Sequence, residues 1–167
     1  QAAAAAERLA ALPIKAVYSS PVLRCRETAD FIAESQGLPV NLLETVGEVR
    51  YGAWEGKKIS KLAKKKEWFT VQFFPSRMKF PGGDTLRGVQ TRGVDALEAL
   101  AQAHDDKDIV VVVSHADLIK LVLAHYLGVH TDLFQRIVVS PASVSVLHLS
   151  ENGMVRVGRI NDDGPLK

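Results

Sequence analysis

Three short segments of this sequence combine arginine, glutamate and histidine in the way that a binding site for an anion would. Arg24 lies in a Ser-Pro-Val-Leu-Arg run over residues 20–24, Glu48 lies in the irregular segment 44–56, and His115 follows Ser114 at the end of an apolar run. An arginine binds phosphate oxygens through two parallel hydrogen bonds. Cations balance the charge of a phosphoryl group, and a carboxylic acid can protonate a leaving oxygen. These residue types together predict phosphoryl transfer.

The elements that must position these residues are short strands, and each of the three segments begins where a predicted strand ends. The predicted strands are residues 14–19, 39–43 and 108–113. Open α/β sheets bind their ligands beyond the carboxyl ends of their strands. We therefore expect the three segments to meet in one pocket.

The rest of the pattern alternates helices with strands. The predicted helices are residues 1–12, 20–36, 59–74, 85–104 and 117–127, with Ser20 and Asp84 as N-caps. Residues 143–149 and 154–160, joined through Asn152-Gly153, predict a β-hairpin. This order predicts an α/β fold, a three-layer α/β/α sandwich with a mostly parallel central sheet, as a single domain over residues 1–167.

Composition excludes several classes of function. The net charge of +2 is too small for a nucleic-acid-binding protein, which usually concentrates a larger basic excess on one face. No window approaches the roughly 20 apolar residues that span a bilayer, so no membrane partner is expected. The single cysteine, Cys25, cannot form an internal disulfide, which favours a reducing, cytoplasmic location.

Four motifs in a fixed order make the sequence resemble a known family. They are Ser-Pro-x-x-Arg-x-x-x-Thr-Ala at 20–29, Glu-x-x-Tyr-Gly-x-Trp-Glu-Gly at 48–56, Pro-Gly-Gly-Asp-Thr at 81–85 and Ser-His at 114–115. In this order they resemble the histidine phosphatase superfamily, which includes the cofactor-dependent phosphoglycerate mutases. Each motif alone is weak, but the resemblance covers nearly the whole chain.

The resemblance implies roles for individual residues. Arg24 and His115 are implied to be catalytic and to bind the phosphoryl group, and Glu48 to act as proton donor and later as base. Tyr51 is expected to pack within its loop and is a lesser candidate for a substrate contact. It implies a small phosphorylated metabolite as substrate, with no metal and no cofactor. The activity would be phosphomonoester hydrolysis through a phosphohistidine.

The nucleophile implied by the family does not occur in this sequence. The family carries it as the histidine of an Arg-His-Gly motif on its first strand, and no Arg-His-Gly is present in residues 1–167. The resemblance therefore implies that this strand, its histidine and the first pocket arginine lie upstream of residue 1. Residues 1–167 alone would then be inactive.

Several alternatives stay open. Phosphoglycerate mutase activity is disfavoured, because the resemblance implies an arginine at the position of Val49 and a lysine at the position of Ile59 in mutases. These basic residues would hold the substrate carboxylate, which binds poorly in a closed site without cationic partners. A non-catalytic domain that binds a phosphorylated ligand is the rival from another class. Ser-His-Ala-Asp in place of the more familiar Ser-His-Gly-Gly leaves the substrate open, and the chain could be a monomer or a homodimer.

The candidate residues also have ordinary structural interpretations. His115 could be a core histidine that pairs with backbone groups, and Arg24 could form a surface salt bridge with Glu27 or Glu48. Glu44 and Glu55 compete with Glu48 for the role of acid. The lysines of residues 57–66 are expected to be a solvated helix face that could also attract phosphorylated substrates.

Overall fold

The computed structural model describes residues 1–164, so the last three residues of the predicted domain lie outside the described part. The helices within residues 1–164 are α1 (Ala2–Leu9), α2 (Leu23–Gln36), α3 (Ile59–Leu62), α4 (Lys66–Phe73), α5 (Leu86–Ala103) and α6 (Ala116–Tyr126). The strands are β1 (Ile14–Ser19), β2 (Val40–Leu42), β3 (Ile109–Val113), β4 (Val144–Leu149) and β5 (Val155–Asp162). None of the described helices is long and apolar enough to cross a bilayer.

The first three strands form a parallel sheet in the order β2-β1-β3, and helices flank it. Val17 of β1 pairs with Val40 on one side and with Val111 on the other. Ser19 at the end of β1 pairs with Val113 at the end of β3, so the residues that follow these two strands start side by side. The predicted α/β fold with a mostly parallel sheet is confirmed.

The last two strands form the predicted hairpin, antiparallel and joined through Gly153. Gly153 has a φ of 78°, a conformation that glycine adopts without strain. Among the described residues this hairpin shares no ladder with the parallel sheet.

Two apolar clusters hold the helices in place. One joins α1 and α2 to the parallel sheet through residues such as Leu9, Val17 and Ile32. The other joins α5 and α6 to the segment between β2 and α5, with Phe80, Leu86 and Leu121 almost fully buried. This second cluster fixes the position of the loop that carries Glu48, because Val49 belongs to it.

Strand β3 is less buried than its sequence predicts. Its five apolar residues indicate a strand that is covered on all sides, but each of them is partly exposed. The reason is its position at the end of the order β2-β1-β3, where it has a neighbouring strand on one side only.

Two helix boundaries also differ from the predictions. Residues 59–74 form two helices rather than one, and Lys61, Lys64 and Lys65 would repel each other at i, i+3 and i, i+4 in a continuous helix. The N-cap of α5 is Thr85, whose hydroxyl accepts from the Gly88 N–H at 3.0 Å, and not Asp84.

The predicted cap of α2 was wrong as well. This helix begins at Leu23, its N-cap is Val22, and no side chain caps it by a hydrogen bond. Ser20 is fully buried, and its hydroxyl faces His115 instead.

Candidate active site

The three predicted catalytic side chains come together at the carboxyl ends of β1 and β3. Arg24 lies in the first turn of α2, Glu48 follows a 3-10 turn after β2, and His115 is the N-cap residue of α6. These positions are far apart in sequence, and the parallel pairing of β1 with β3 is what brings two of them together.

The side chains of Arg24, Glu48 and His115 are in mutual contact. Arg24 Nη2 donates to His115 Nδ1 at 2.7 Å and to Glu48 Oε2 at 3.2 Å. Glu48 Oε2 is 3.5 Å from His115 Nδ1. The side chain of Arg24 is 62% exposed, so a solute can reach its guanidinium. The expected convergence is observed, while the roles of the three residues stay predictions.

His115 is held as a neutral imidazole with a defined tautomer. Because Arg24 donates to Nδ1, the ring proton must lie on Nε2, which then donates to Ser20 Oγ at 2.8 Å. Burial, followed by the positive charges of Arg24 and Arg92, lowers the pKa of His115 to about 4. The ring therefore turns Nδ1 toward Arg24 and Glu48, and Nε2 toward the interior.

The pKa of the Glu48 carboxyl is raised, which favours its protonated, neutral form. Burial is the main cause that raises the pKa of this carboxyl, and the negative charge of Asp117 adds to it. The Val49 N–H, which donates to Oε1 at 2.9 Å, and the nearby Arg24 act against this shift. A carboxyl with a raised pKa can keep the proton that a general acid donates.

The backbone of the Glu48 loop is fixed by Arg92, a residue that the sequence did not point to. Its guanidinium donates to the carbonyl oxygens of Thr45, Gly47 and Glu48 at 2.7, 2.8 and 2.9 Å. Ser114 Oγ donates to the Val46 carbonyl at 2.7 Å. The loop is thus bound to α5 and to the end of β3.

A second loop, residues 80–85, supports the far side of the Glu48 loop. Asp84 accepts from the Arg50 N–H at 3.0 Å, and the Arg50 carbonyl accepts from the Asp84 N–H at 2.8 Å. Backbone meets backbone here: a Cβ at Gly83 would overlap the Arg50 carbonyl oxygen, and one at Gly52 would overlap the Pro81 carbonyl oxygen. Gly83 of the Pro-Gly-Gly-Asp-Thr motif and Gly52 of the Glu48 loop therefore permit close packing of the two loops.

Tyr51 takes part in the site through its hydroxyl. This group donates to Asp117 Oδ2 at 2.9 Å, and the ring packs edge-on against Phe80 at 5.1 Å between centroids. Because Asp117 already accepts the hydroxyl proton of Tyr51, this proton is not free for a substrate. A role of Tyr51 as a substrate contact stays a prediction.

Two potential nucleophiles near His115 are poorly suited to attack a substrate. Ser20 is fully buried, and Cys25 is 4% exposed with its sulfur 3.5 Å from His115 Nε2. Burial also raises the pKa of the Cys25 thiol, so little of the reactive thiolate forms. Within residues 1–164, no group of three or more His, Cys, Asp and Glu side chains could hold a metal ion.

Known proteins with similar sequences include two phosphoserine phosphatases. "Phosphoserine phosphatase 1" of Hydrogenobacter thermophilus is 31% identical over 156 residues, which cover 90% of this chain and 72% of that protein. The "Metal-independent phosphoserine phosphatase" of Arabidopsis thaliana is 32% identical over 90% of this chain and 63% of its own length. A bifunctional protein of Mycobacterium tuberculosis is 28% identical, and this chain spans only 42% of it.

Solved structures share the fold. Bacillus stearothermophilus YhfR superposes with a TM-score of 0.89 at 22% identity, over 98% of this chain and 81% of that one. A mycobacterial glucosyl-3-phosphoglycerate phosphatase superposes with a TM-score of 0.85 at 22% identity, over 97% of this chain and 83% of that one.

The family itself is identified by a sequence model that matches residues 1–163, described as the histidine phosphatase superfamily (branch 1). The matched residues contain all four motifs and the three residues Arg24, Glu48 and His115. The expected class, a phosphatase-type enzyme with a phosphoglycerate mutase-like fold, is confirmed. The chain belongs to the histidine phosphatase superfamily.

Proposed function

We propose that the protein containing this chain hydrolyses phosphomonoesters through a phosphohistidine, with Arg24 and His115 binding the phosphoryl group and Glu48 serving as acid and base. The observation that carries this proposal is the contact of an accessible arginine with a neutral imidazole and a carboxyl of raised pKa. Burial removes charge from His115 and favours the neutral form of Glu48. Arg24 then leaves the pocket net positive, as a phosphate dianion requires.

The proposed reaction has two steps. In the first, a histidine nitrogen forms a bond to phosphorus while the bond from phosphorus to the leaving oxygen breaks, and Glu48 gives that oxygen its proton. In the second, Glu48 takes a proton from water as the water oxygen bonds to phosphorus, and the phosphorus–nitrogen bond breaks. Arg24 and His115 stabilise the charge of the phosphoryl oxygens in both steps.

We place the nucleophilic histidine on a strand upstream of Gln1, as the family resemblance implies. Strand β3 has one unpaired side among the described residues, and the β4–β5 hairpin stands outside its ladder. Val144 of β4 packs in the same apolar cluster as Val111 and Val113 of β3. These features support one further parallel strand beside β3, whose carboxyl end would face His115.

Hydrolysis is favoured over mutase activity by the surroundings of Val49. This side chain is 2% exposed and belongs to the apolar cluster. Val49 therefore offers no cation to a substrate carboxylate, at the position where the resemblance implies an arginine in a mutase. We infer a small phosphorylated metabolite as substrate, in line with the phosphoserine phosphatases among the relatives. A homodimer and a cytoplasmic location stay predictions.

The test is turnover of p-nitrophenyl phosphate by the complete protein in EDTA. We expect His115→Ala and Arg24→Ala each to lower kcat/KM by about 100-fold or more, since Arg24 donates to the charged transition state directly and His115 does so through Nδ1 once the bound phosphoryl group has favoured the protonated ring. Arg26→Ala is the matched control, because Arg26 is an exposed arginine two residues away that makes no side-chain contact to the site. Undiminished turnover in both site variants would refute the assigned roles. Phosphate binding without any turnover would favour the non-catalytic alternative.

A further inference from the structure

Asp117 is the second carboxylate at this site and has no role in the reaction proposed above. It lies in the first turn of α6, two residues after His115. Its Oδ2 accepts from the Tyr51 hydroxyl at 2.9 Å, and its Oδ1 is 3.5 Å from Lys120 Nζ. The start of a helix also favours an anion. Asp117 is therefore anchored, as a charged group, from three directions.

The Tyr51 hydroxyl is committed to this contact. Burial and then the charges of Asp117 and Glu48 raise the pKa of Tyr51 far above its ordinary value, so the hydroxyl keeps its proton and remains a donor. Its ring is fixed against Phe80. Tyr51 thus joins the loop that carries Glu48 to the helix that begins at His115.

Two contacts bring Asp117 close to Glu48: Nδ1 of His115, two residues before Asp117, is 3.5 Å from Glu48 Oε2, and Tyr51, three residues after Glu48, donates to Asp117. Burial is the main cause that raises the pKa of Glu48, and the negative charge of Asp117 raises it further. The charged and titratable groups that surround Glu48 are Arg24 and Cys25 of α2, Arg92 of α5, His115 and Asp117 at the start of α6, and Tyr51 of its own loop. Two of these influences favour opposite forms: Arg24 favours the ionised carboxylate, and Asp117 favours the protonated acid. Two neighbouring carboxyl groups do not ionise as easily as one.

We propose that Asp117, held by Tyr51 and Lys120, is a positioning residue that keeps the leaving-group proton on Glu48. This inference rests on the proposed function, since it concerns the acid of that same reaction. Asp117 acts through Glu48 and is not itself required to touch the substrate. The arrangement assigns the two carboxyl groups different tasks: Asp117 is anchored beside the site by Tyr51 and Lys120, and Glu48 donates the proton.

The test is the pH profile of kcat/KM for an alkyl phosphate, measured with the complete protein and its Asp117→Asn variant. An alkoxide leaves poorly without a proton, so this activity must fall as pH rises through the pKa of Glu48. Removing a negative charge lowers that pKa, and the falling limb should move to lower pH by about half a unit to one unit. p-Nitrophenyl phosphate, whose leaving group needs no proton, should show almost no change at neutral pH.

Two further variants sharpen the result. Asp30→Asn removes the same charge from an exposed position of α2 and should leave the limb in place. Tyr51→Phe keeps the ring but removes the hydrogen bond to Asp117. The falling limb of its pH profile should also move to lower pH, by less than in Asp117→Asn. The double variant should not exceed Asp117→Asn, because the two residues act as a unit.

A second readout does not depend on turnover. The carboxyl carbon of Glu48, followed by NMR, should titrate at lower pH in Asp117→Asn than in the unchanged protein. An unmoved limb together with an unmoved titration would overturn this inference while leaving the phosphatase assignment intact. Loss of the assignment itself would appear separately, as turnover that survives in His115→Ala and Arg24→Ala.

Discussion

The nearest nitrogen and oxygen atoms of His115 and Glu48 are 3.5 Å apart, and burial pushes both side chains toward their neutral forms. For the imidazole this means loss of a proton, and for the carboxyl it means retention of one. Arg24 remains the permanent charge of the three. A phosphate dianion entering this pocket would therefore meet a net positive site that also holds a transferable proton.

The protonation of His115 can be measured by an NMR titration of the unliganded protein. We expect a midpoint near pH 4, because burial and the charges of Arg24 and Arg92 disfavour the imidazolium. Saturating phosphate should raise this midpoint, since the anion favours the protonated ring. A midpoint at the ordinary value of 6.5 or above in the unliganded protein would contradict the described environment.

The same shift has a consequence for stability. His115 accepts a proton more readily in the unfolded chain, so the free energy of unfolding should fall as pH drops from about 6.5 toward about 4. The loss should reach about 3 kcal/mol relative to His115→Gln, which has no such titration. Urea denaturation of both proteins across this pH range provides the measurement. Parallel pH profiles for the two proteins would be inconsistent with a buried neutral imidazole.

The residues that the sequence pointed to are those that lie inside a local motif. Arg24, Glu48 and His115 each follow a predicted strand, and the edge rule for parallel sheets was enough to bring them together. Arg92 escaped notice, and Asp84 was expected only as a helix cap, because both act on backbone groups more than 30 residues away, which no local pattern records. Asp117 was noticed only as a departure from the usual motif, and its partner Tyr51 is 66 residues distant.

At the scale of elements, the site depends on two loops whose backbones touch. Residues 48–56 and 80–85 exchange hydrogen bonds through Arg50, Ala53, Pro81 and Asp84. Gly52 stands at this contact with a φ of 53°, and a Cβ there would also lie 2.6 Å from the Gly82 carbonyl carbon. The position of Glu48 is therefore set by a backbone contact that only glycine permits.

Two glycine substitutions separate backbone conformation from loop contact. Gly56 has a φ of 69° with open space around it. Gly56→Ala should therefore lower the free energy of unfolding by about 1–2 kcal/mol, the cost of a left-handed conformation for alanine. Gly52→Ala has the same conformational cost, and its Cβ must also push the two loops apart. This overlap should lower the free energy of unfolding by a further ~1–3 kcal/mol. Denaturation gives both values, and phosphate affinity should fall in the Gly52 variant alone. Equal effects of the two substitutions would argue against a structural role for the loop contact.

Element types followed from the sequence more reliably than element surroundings. The hairpin and the parallel strands were predicted from alternation, apolar runs and the Asn152-Gly153 turn. The partial exposure of β3 was not predicted, because the order of strands in the sheet decides which strands pair beside it, and the apolar run does not record this order. The break between α3 and α4 falls at Lys64 and Lys65, where like charges at helical spacing disfavour a continuous helix, an effect that helix propensity alone does not register.

At the scale of the whole molecule, the family explains both the order of the motifs and the fold. The family model spans residues 1–163, and YhfR matches 98% of the chain in three dimensions. The described residues bring together Arg24, Glu48 and His115, the groups proposed to bind phosphate and to donate the proton. The nucleophilic histidine is proposed to lie on a strand ahead of Gln1.

The most direct measurement is to locate the phosphoryl group on the enzyme. The complete protein, quenched during turnover and digested, should carry an acid-labile phosphoryl group on a histidine upstream of Gln1. His115 should stay unmodified, because its Nδ1 faces Arg24 and Glu48 as a binding group and its Nε2 is engaged by buried Ser20. A phosphoryl group mapped to His115, Ser20 or Cys25 would contradict the account.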